Sequence, residues 1–175
     1  MQEPHIVIIG NGIAANSAAS AIRKADKEIA ITMISRETSP EYSACVLSKK
    51  YLSGEMKREE VFLKTSEDYS RENVRTFFGQ KVARVDIESK KVLLETEGVS
   101  YDKLIIATGS KPIVPSIEGV DRKGIFTLKS LEDADRIANY TGRKVVVLGP
   151  GYIGVEASIA LKKRGWEASL VGGRT

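Results

Sequence analysis

The chain has 175 residues, of which 42% are hydrophobic and 29% charged, and its 27 basic and 23 acidic side chains give a net charge of +4. This composition is typical of a globular protein, and the dispersed charges exclude a basic nucleic-acid-binding stripe. The single cysteine excludes a disulfide framework and a cysteine-rich metal site, so no metal is expected. The apolar runs are too short to cross a bilayer and no basic segment precedes the first strand, which predicts no membrane span, no signal peptide and a cytoplasmic location.

A strand, a glycine-rich turn, a helix and a second strand follow one another at the start of the chain. HIVIIG, residues 5–10, is a β-branched run without alternation, which predicts a strand covered on both faces. GNGIAA, residues 10–15, begins an alanine-rich helix that ends near Ala25, and IAITMIS, residues 29–35, is the next strand. Together these elements predict a βαβ unit that carries the pattern G-x-G-x-x-A.

This pattern is typical of a dinucleotide site, and each of its positions has a physical role. Gly10 permits the tight turn, Gly12 lets the backbone approach a pyrophosphate, and Ala15 keeps the helix close to the sheet. The pyrophosphate is expected at the helix N-terminus, where unpaired amides favour an anion. Glu37, which comes slightly late after the second strand and behind Arg36, is the acid best placed to hold a ribose hydroxyl.

A β-rich connector leads to a second unit of the same kind. Short strands are predicted in VRTFF, KVARVDI, KVLLET and YDKLIIATGSKP, and helices over residues 65–72 and 130–140. The prolines of KPIVP mark the crossing from the first unit to the second. We therefore expect two domains, at residues 1–111 and 112–175.

The second unit is KVVVLGPGYIGVEASIALKKRG, residues 144–165, followed by the strand EASLV. It carries G-x-G-x-x-G at Gly149, Gly151 and Gly154, between a buried strand and a helix. One such motif is a weak signal, because a tight turn alone can produce it. Two motifs, each in a full strand–turn–helix context, predict two dinucleotide sites.

Four motifs, GNGIAA, YSACVLSKKYLSGE, LIIATGSKP and LGPGYIGVE, occur in this order, and with them essentially the whole chain resembles the FAD-dependent pyridine nucleotide-disulfide oxidoreductase superfamily. The resemblance implies an α/β, Rossmann-like FAD/NAD(P)-binding fold with a parallel sheet and a β-rich arm. It implies an enzyme that binds FAD in the first domain and NADH or NADPH in the second, and that passes a hydride from NAD(P)H to FAD. The residues that match the FAD motif are Gly10, Gly12, Ala15, Thr108 and Gly109; those that match the nicotinamide dinucleotide motif are Gly149, Gly151 and Gly154, with Tyr152 and Glu156 where the family places residues near the nicotinamide–flavin contact.

Two departures from the family pattern lie near the C-terminus. The acid usual after the second strand of the NAD unit is replaced by Gly172, with Gly173 and Arg174 behind it; this suits a 2′-phosphate, as in NADPH, or reflects a loop cut off before it takes shape. Family members resembling this chain continue well beyond Thr175, so we expect a chain truncated within the second nucleotide-binding domain. Such a chain is a catalytically incomplete fragment or one subunit of a split flavoenzyme, and its bare sheet ends predict a homo-oligomer or a partner that supplies the C-terminal portion.

The only cysteine lies in EYSACVLSKKYLSGE, residues 41–55. Cys45 is expected at the N-terminal end of a helix that ends at the glycine of this stretch. Unpaired amides at that position lower the pKa of a thiol, and Lys49 adds positive charge one turn later. Both residues are therefore candidate catalytic residues.

Two branches of the superfamily meet in this stretch. YSACVL resembles the single-cysteine NADH oxidases, peroxidases and coenzyme A-disulfide reductases, which implies a thiol, disulfide or oxygen-level acceptor handled through Cys45. LSKKYLSGE resembles the ferredoxin and rubredoxin reductases, which implies electron delivery to a small redox protein, with Lys49 near the flavin and no need for the cysteine. Beside these alternatives stand a buried Cys45 that only packs and a Lys49 on a solvated helix face.

Overall fold

The computed structural model describes residues 4–172, and the chain divides into two compact units. The first unit comprises the residues up to Tyr42 together with Phe62–Ser110; the second comprises Ser43–Val61 together with the residues from Lys111 onward. The boundary between the compact units lies between residues 110 and 111, and the expected domains at 1–111 and 112–175 stay a prediction. Ser43–Val61, named the Cys45 segment below, groups with the second unit, although the sequence-based division assigned it to the first.

The first unit has seven strands and two helices among its described residues. In chain order they are β1 (His5–Ile9), α1 (Ile13–Ala25), β2 (Ala30–Ser35), α2 (Ser66–Arg71), β3 (Val74–Phe78), β4 (Arg84–Asp86), β5 (Lys91–Leu93), β6 (Gly98–Ser100) and β7 (Lys103–Ile106). Strands β3, β2, β1 and β7 form a parallel sheet in this order, and β4, β5 and β6 form an antiparallel sheet.

The parallel sheet buries β1 on both faces, as its uninterrupted apolar run predicts. On one face Ile6 and Ile8 pack with Ala15 and Ala19 of α1. On the other face Val7 packs with side chains of the antiparallel sheet. The antiparallel sheet is therefore the β-rich arm of the prediction, and it covers the face of the parallel sheet opposite α1.

The antiparallel sheet is also where the predicted elements fit least well. The strand predicted for KVARVDI shortens to the three residues of β4. The three residues of β6 carry no sequence signal, because GVS is too short to show a period and contains a glycine. This strand forms because the Leu94 N–H donates to the Glu97 carbonyl at 2.8 Å, which turns the chain back onto β5.

The second unit contains α3 (Leu131–Ala138), β8 (Lys144–Leu148), α4 (Tyr152–Lys163) and β9 (Glu167–Val171), with β8 and β9 paired in parallel. Helix α3 is the helix predicted over 130–140, and it begins with a capping box between Ser130 and Asp133. Val146 and Leu148 of β8 are 63% and 59% exposed, so one face of this strand pair lacks cover within the described residues.

The Cys45 segment consists of three short helical turns: a 3-10 turn at Ala44–Val46, a π-helical turn at Leu47–Tyr51 and a 3-10 turn at Arg58–Val61. It packs on α3 and α4. The Tyr51 hydroxyl donates to the Asp135 carboxylate, which also accepts from Arg58 Nε at 3.0 Å. Arg164, at the end of α4, donates to the Leu52 carbonyl at 3.2 Å. These contacts are the reason that the segment groups with the second unit.

Within residues 4–172, none of the helices has both the length and the apolarity needed to span a membrane. In the same part of the chain, no three His, Cys, Asp or Glu side chains are grouped in a way that could hold a metal ion.

Candidate functional site

The first glycine junction lies between β1 and α1. Gly10 has a φ of +126°, a conformation that favours glycine, and its N–H donates to the Ile34 carbonyl at 2.8 Å. Gly12 is the N-cap of α1 with an extended backbone, and a Cβ there would meet no atom within 4 Å. Ala15 is fully buried in the first turn of α1. The backbone at the N-terminus of α1 is thus unobstructed at Gly12, and a helix N-terminus with unpaired amides is the arrangement that binds a pyrophosphate.

The end of β7 lies beside this junction. The Ala107 N–H donates to the Ile9 carbonyl at 2.8 Å. A Cβ at Gly10 would overlap the Ala107 carbonyl oxygen and would come within 3.3 Å of the Thr108 nitrogen. Thr108 and Gly109 follow, and both are exposed. The structure therefore brings the Ala-Thr-Gly residues to the first junction, at the carboxyl ends of neighbouring parallel strands, where doubly wound sheets bind ligands.

Glu37 follows β2 and is half-buried. Its Oε2 accepts a hydrogen bond from the Tyr42 hydroxyl at 2.7 Å, and its N–H donates to Ser35 Oγ at 3.1 Å. These contacts orient the carboxylate, which keeps acceptor capacity for a ribose hydroxyl. Tyr42 was not predicted as part of the site, because no motif identifies a tyrosine five residues after the acid.

A buried polar network, also missed by sequence reasoning, holds the first junction. The Tyr69 hydroxyl is shared between Oδ1 of Asn11 at 2.9 Å and Oδ1 of Asn16 at 3.0 Å, and the Asn11 amide donates to the Ser39 carbonyl at 2.7 Å. Desolvation by burial raises the pKa of Tyr69 to about 12, so its hydroxyl stays protonated at neutral pH. Because Asn11 lies between the two glycines, the network fixes the turn. The available signal was Asn16, a polar residue inside an alanine-rich helix.

The second glycine junction, between β8 and α4, repeats the first. Gly149 has a φ of +105°, and its N–H donates to the Val171 carbonyl at 2.9 Å. Gly151 is the N-cap of α4 with an extended backbone, and a Cβ there would meet no atom within 4 Å. A Cβ at Gly154, the third glycine, would overlap the Gly149 carbonyl oxygen. This junction therefore offers a pyrophosphate the same helix N-terminus as the first.

Gly172 follows β9, where an acid that holds a ribose would lie. A Cβ at Gly172 would overlap the ring of Pro150, so a side chain at this position requires the proline to move. Gly173 and Arg174, which bear on the choice between NADH and NADPH, lie outside the described residues.

Tyr152 and Glu156 lie one turn apart near the start of α4, and Tyr152 is 92% exposed. The Glu156 carboxylate accepts from Ser48 Oγ at 2.6 Å and lies 3.3 Å from Lys49 Nζ. The hydrogen bond from Ser48 is the largest cause that lowers the pKa of Glu156; desolvation opposes it, and the hydrogen bond and charge of Lys49 lower the pKa further. The structure thus brings together Lys49 and Glu156, two predicted residues from different motifs, and adds Ser48, which no motif identified.

Cys45 lies in the turn Ala44–Val46, and its side chain is exposed. Within residues 4–172 the thiol is thus not buried, although the alternative of a cysteine that only packs is not tested by this exposure. Exposure makes the thiol accessible to a substrate, whereas its use in catalysis stays a prediction. Lys49 is half-exposed and ion-paired with Glu156.

These features, two pyrophosphate-binding junctions and a helical segment with an exposed thiol, can be compared with known proteins. A family model described as pyridine nucleotide-disulphide oxidoreductase matches residues 4–175. The chain belongs to this family. The predicted family is therefore confirmed, and members of this family are oxidoreductases that use FAD and NAD(P)H.

An NADH oxidase of Methanocaldococcus jannaschii is 35% identical over 176 residues, which cover 94% of this chain and 39% of that protein. A rubredoxin-NAD(+) reductase of Alcanivorax borkumensis is 33% identical over 169 residues, which cover 95% of this chain and 44% of that protein. The crystal structure of reduced Bacillus anthracis CoADR-RHD is similar with a TM-score of 0.92 and 32% identity, covering 98% of this chain and 33% of that chain. The predicted α/β, Rossmann-like fold is thereby confirmed, and the chain spans less than half the length of each of these relatives.

Proposed function

We propose that this chain is the nucleotide-binding portion of an FAD-dependent NAD(P)H oxidoreductase, with FAD in the first unit and NADH or NADPH in the second. The observation that carries the proposal is the pair of glycine junctions. Each has a first glycine at positive φ and an N-cap glycine with no atom within 4 Å of its would-be Cβ. Both junctions fit a pyrophosphate, because the backbone can approach the ligand closely and the helix amides point toward it.

The proposal gives each predicted residue a role. FAD, when bound, supplies the acceptor for the hydride of the nicotinamide. The residues of the first unit that hold it are Gly10, Gly12 and Ala15 at the pyrophosphate, Glu37 at the ribose, and Thr108 and Gly109 at the end of β7. The residues of the second unit that hold the nicotinamide dinucleotide are Gly149, Gly151 and Gly154 at the pyrophosphate, with Tyr152 and Glu156 toward the nicotinamide.

For the electron acceptor, the exposed thiol of Cys45 favours a thiol, disulfide or oxygen-level substrate. A second candidate, a small redox protein that receives electrons without the cysteine, is favoured by the Lys49–Glu156 ion pair, since that pair holds a lysine in place without involving the thiol. Replacing Cys45 by Ser in the FAD-loaded protein separates the two. Loss of acceptor reduction with normal flavin reduction by NAD(P)H supports the thiol route, and unchanged acceptor reduction excludes it.

We also propose that catalysis requires additional polypeptide, from a second copy, a further segment or another chain, that covers the second unit. The exposed Val146 and Leu148 of β8 support this, because parallel strands of a nucleotide-binding sheet are normally covered on both faces. A chain that is monomeric at micromolar concentration and reduces its flavin with NAD(P)H at full rate would contradict the requirement.

The two cofactor assignments are tested with a matched pair of variants, Gly12→Ala and Gly151→Ala. Both N-cap positions have extended backbones with free space, so either alanine is expected to fold normally. Each methyl group would stand where a pyrophosphate approaches, and a loss of affinity of about tenfold or more is expected. In isothermal titrations, Gly12→Ala should weaken only the binding of FAD, and Gly151→Ala should weaken only the binding of NAD(P)H. Equal effects of both variants on both nucleotides would contradict the assignment.

A further inference from the structure

Two consecutive residues of the Cys45 segment hold the same carboxylate. Ser48 Oγ donates to Glu156 Oε2 at 2.6 Å, and Lys49 Nζ lies 3.3 Å from Glu156 Oε1. Ser48 is 6% exposed, whereas the Lys49 side chain is 53% exposed. The short, buried side chain therefore contacts one oxygen and the long, exposed side chain contacts the other.

Contacts from two consecutive residues to one carboxylate are uncommon on an ordinary helix, because side chains at successive positions point about 100° apart and do not face the same neighbour. Here both residues belong to the π-helical turn Leu47–Tyr51. Turns of this kind are rare and occur often at functional sites. The turn and the length of the lysine side chain together bring both donors to one acceptor.

The two contacts differ in how firmly they fix the carboxylate. An exposed lysine–carboxylate ion pair restricts the orientation of the carboxylate only weakly, because solvent screens the attraction and the lysine loses rotamer freedom. A buried hydroxyl has one rotatable bond and a charge-assisted hydrogen bond, so it restricts the carboxylate to one orientation. The position of the Lys49 ammonium therefore follows from the Ser48–Glu156 contact.

We propose that Ser48 is a positioning residue: its hydroxyl holds the Glu156 carboxylate in one orientation and thereby places the Lys49 ammonium beside it. The inference rests on the proposed function, in which Glu156 lies toward the nicotinamide and its carboxylate holds Lys49. It adds a residue that touches neither cofactor under that proposal and that acts only through Glu156.

The proposal has a consequence for charge. The hydrogen bond from Ser48 is the largest cause that lowers the pKa of Glu156, and Lys49 is the charged neighbour that acts on this carboxylate among the described residues. A depressed pKa keeps Glu156 ionised, and the ion pair intact, as the pH falls below the ordinary range of a glutamate. Removing the hydroxyl raises the pKa of Glu156, so the ion pair is lost at a higher pH on acidification.

The first experiment needs no cofactor. The side-chain carboxyl carbon of Glu156 is followed by NMR during a pH titration of the chain, with Glu156→Gln used to assign the signal. Ser48→Ala is expected to move the titration midpoint upward, and Ser48→Thr, which keeps a hydroxyl, is expected to restore it. Ser53→Ala is the matched control, because Ser53 Oγ in the same segment donates to the Lys50 carbonyl. An unchanged midpoint in Ser48→Ala would overturn the proposal.

The second experiment measures the pH profile of flavin reduction by NAD(P)H in the FAD-loaded protein. Ser48→Ala is expected to move the acid limb of the profile to higher pH and Ser48→Thr to return it, whereas a merely structural role would lower the rate equally at every pH. If the wild-type protein shows no flavin reduction but the NMR midpoint still moves in Ser48→Ala, the proposed function fails and the Ser48–Glu156 contact stands. If flavin reduction is normal and neither the midpoint nor the acid limb moves, the positioning role fails alone.

Discussion

The two glycine junctions share their local geometry, yet the strands that lead into them differ in burial. Gly10 and Gly149 both have positive φ, and each donates its N–H to the end of the neighbouring strand, at 2.8 and 2.9 Å. Ile8 of β1 is fully buried, whereas Val146 of β8 is 63% exposed. Strand β1 lies between β2 and β7, while β8 pairs with β9 alone among the described residues. The motif thus sets the turn, and the flanking strands set the burial.

The flanking strands also determine which atoms a side chain at the first glycine of each junction would meet. At Gly10 the Ala107 carbonyl group, which follows β7, fills the space that a Cβ needs, whereas at Gly149 no atom lies within 4 Å. The third position shows the reverse. Ala15 is accommodated in the first unit, but a Cβ at Gly154 would overlap the Gly149 carbonyl oxygen. Helix α1 therefore stands off its turn by enough for a methyl group, and α4 does not.

The largest expected effect separates the two first glycines. Gly10→Ala combines a strained φ with backbone overlap, so we expect it to lower the free energy of unfolding by about 4 kcal/mol. Gly149→Ala meets strain alone, and about 1–2 kcal/mol is expected. Urea unfolding followed by circular dichroism measures both losses. Equal losses would show that β7 does not constrain the first junction.

The next largest effect is expected from the polar network around Tyr69. This network belongs to the first junction, whose turn contains Asn11, whereas the turn of the second junction contains Pro150 at the same position. Tyr69→Phe removes the hydroxyl that bonds Asn11 and Asn16 and that accepts from the Glu41 N–H at 3.1 Å. Leaving these buried groups without a partner is expected to cost about 3 kcal/mol of unfolding free energy. Binding of FAD should weaken as well, since the turn is no longer fixed.

The control for Tyr69→Phe is Tyr101→Phe in the same unit, which is expected to change stability and FAD affinity little. If Tyr69→Phe weakens FAD binding no more than this control does, the network stabilises the unit without shaping the nucleotide site.

Within the second junction, Gly154→Ala and Gly151→Ala form a matched pair. The first brings a methyl group onto the Gly149 carbonyl oxygen and is expected to cost about 2 kcal/mol, because overpacking is partly offset by the better helix propensity of alanine. The second meets open space and should change stability by less than about 0.5 kcal/mol. Fluorescence of Trp166, the single tryptophan of the chain, reports unfolding of this unit. Equal destabilisation by the two variants would contradict the close approach of the first turn of α4 to the Gly149 carbonyl group.

How far the sequence predicts these features depends on how local they are. Strand β1, helix α3 and the turn at Gly10 follow from short-range patterns of apolar residues, caps and glycines, and the structure contains all three. The contact of Ser48 with Glu156 joins residues 108 positions apart, and no local pattern encodes it. The grouping of the Cys45 segment with the second unit depends on long-range contacts of the same kind, such as Arg164 to Leu52.

The smallest expected effect concerns how the Cys45 segment is attached to α3. Desolvation, followed by the hydrogen bond to Asp135, raises the pKa of Tyr51 from 10.0 to about 12. A raised pKa contributes stability that is present below pH 10 and is lost as the pH rises through about 12. We therefore expect the second unit to lose stability over this interval in alkaline urea titrations followed by Trp166 fluorescence. Tyr51→Phe should cost about 1 kcal/mol at neutral pH and should abolish that part of the alkaline loss. If the alkaline loss persists unchanged in the variant, another group causes it, and the hydroxyl of Tyr51 does not hold the segment on α3.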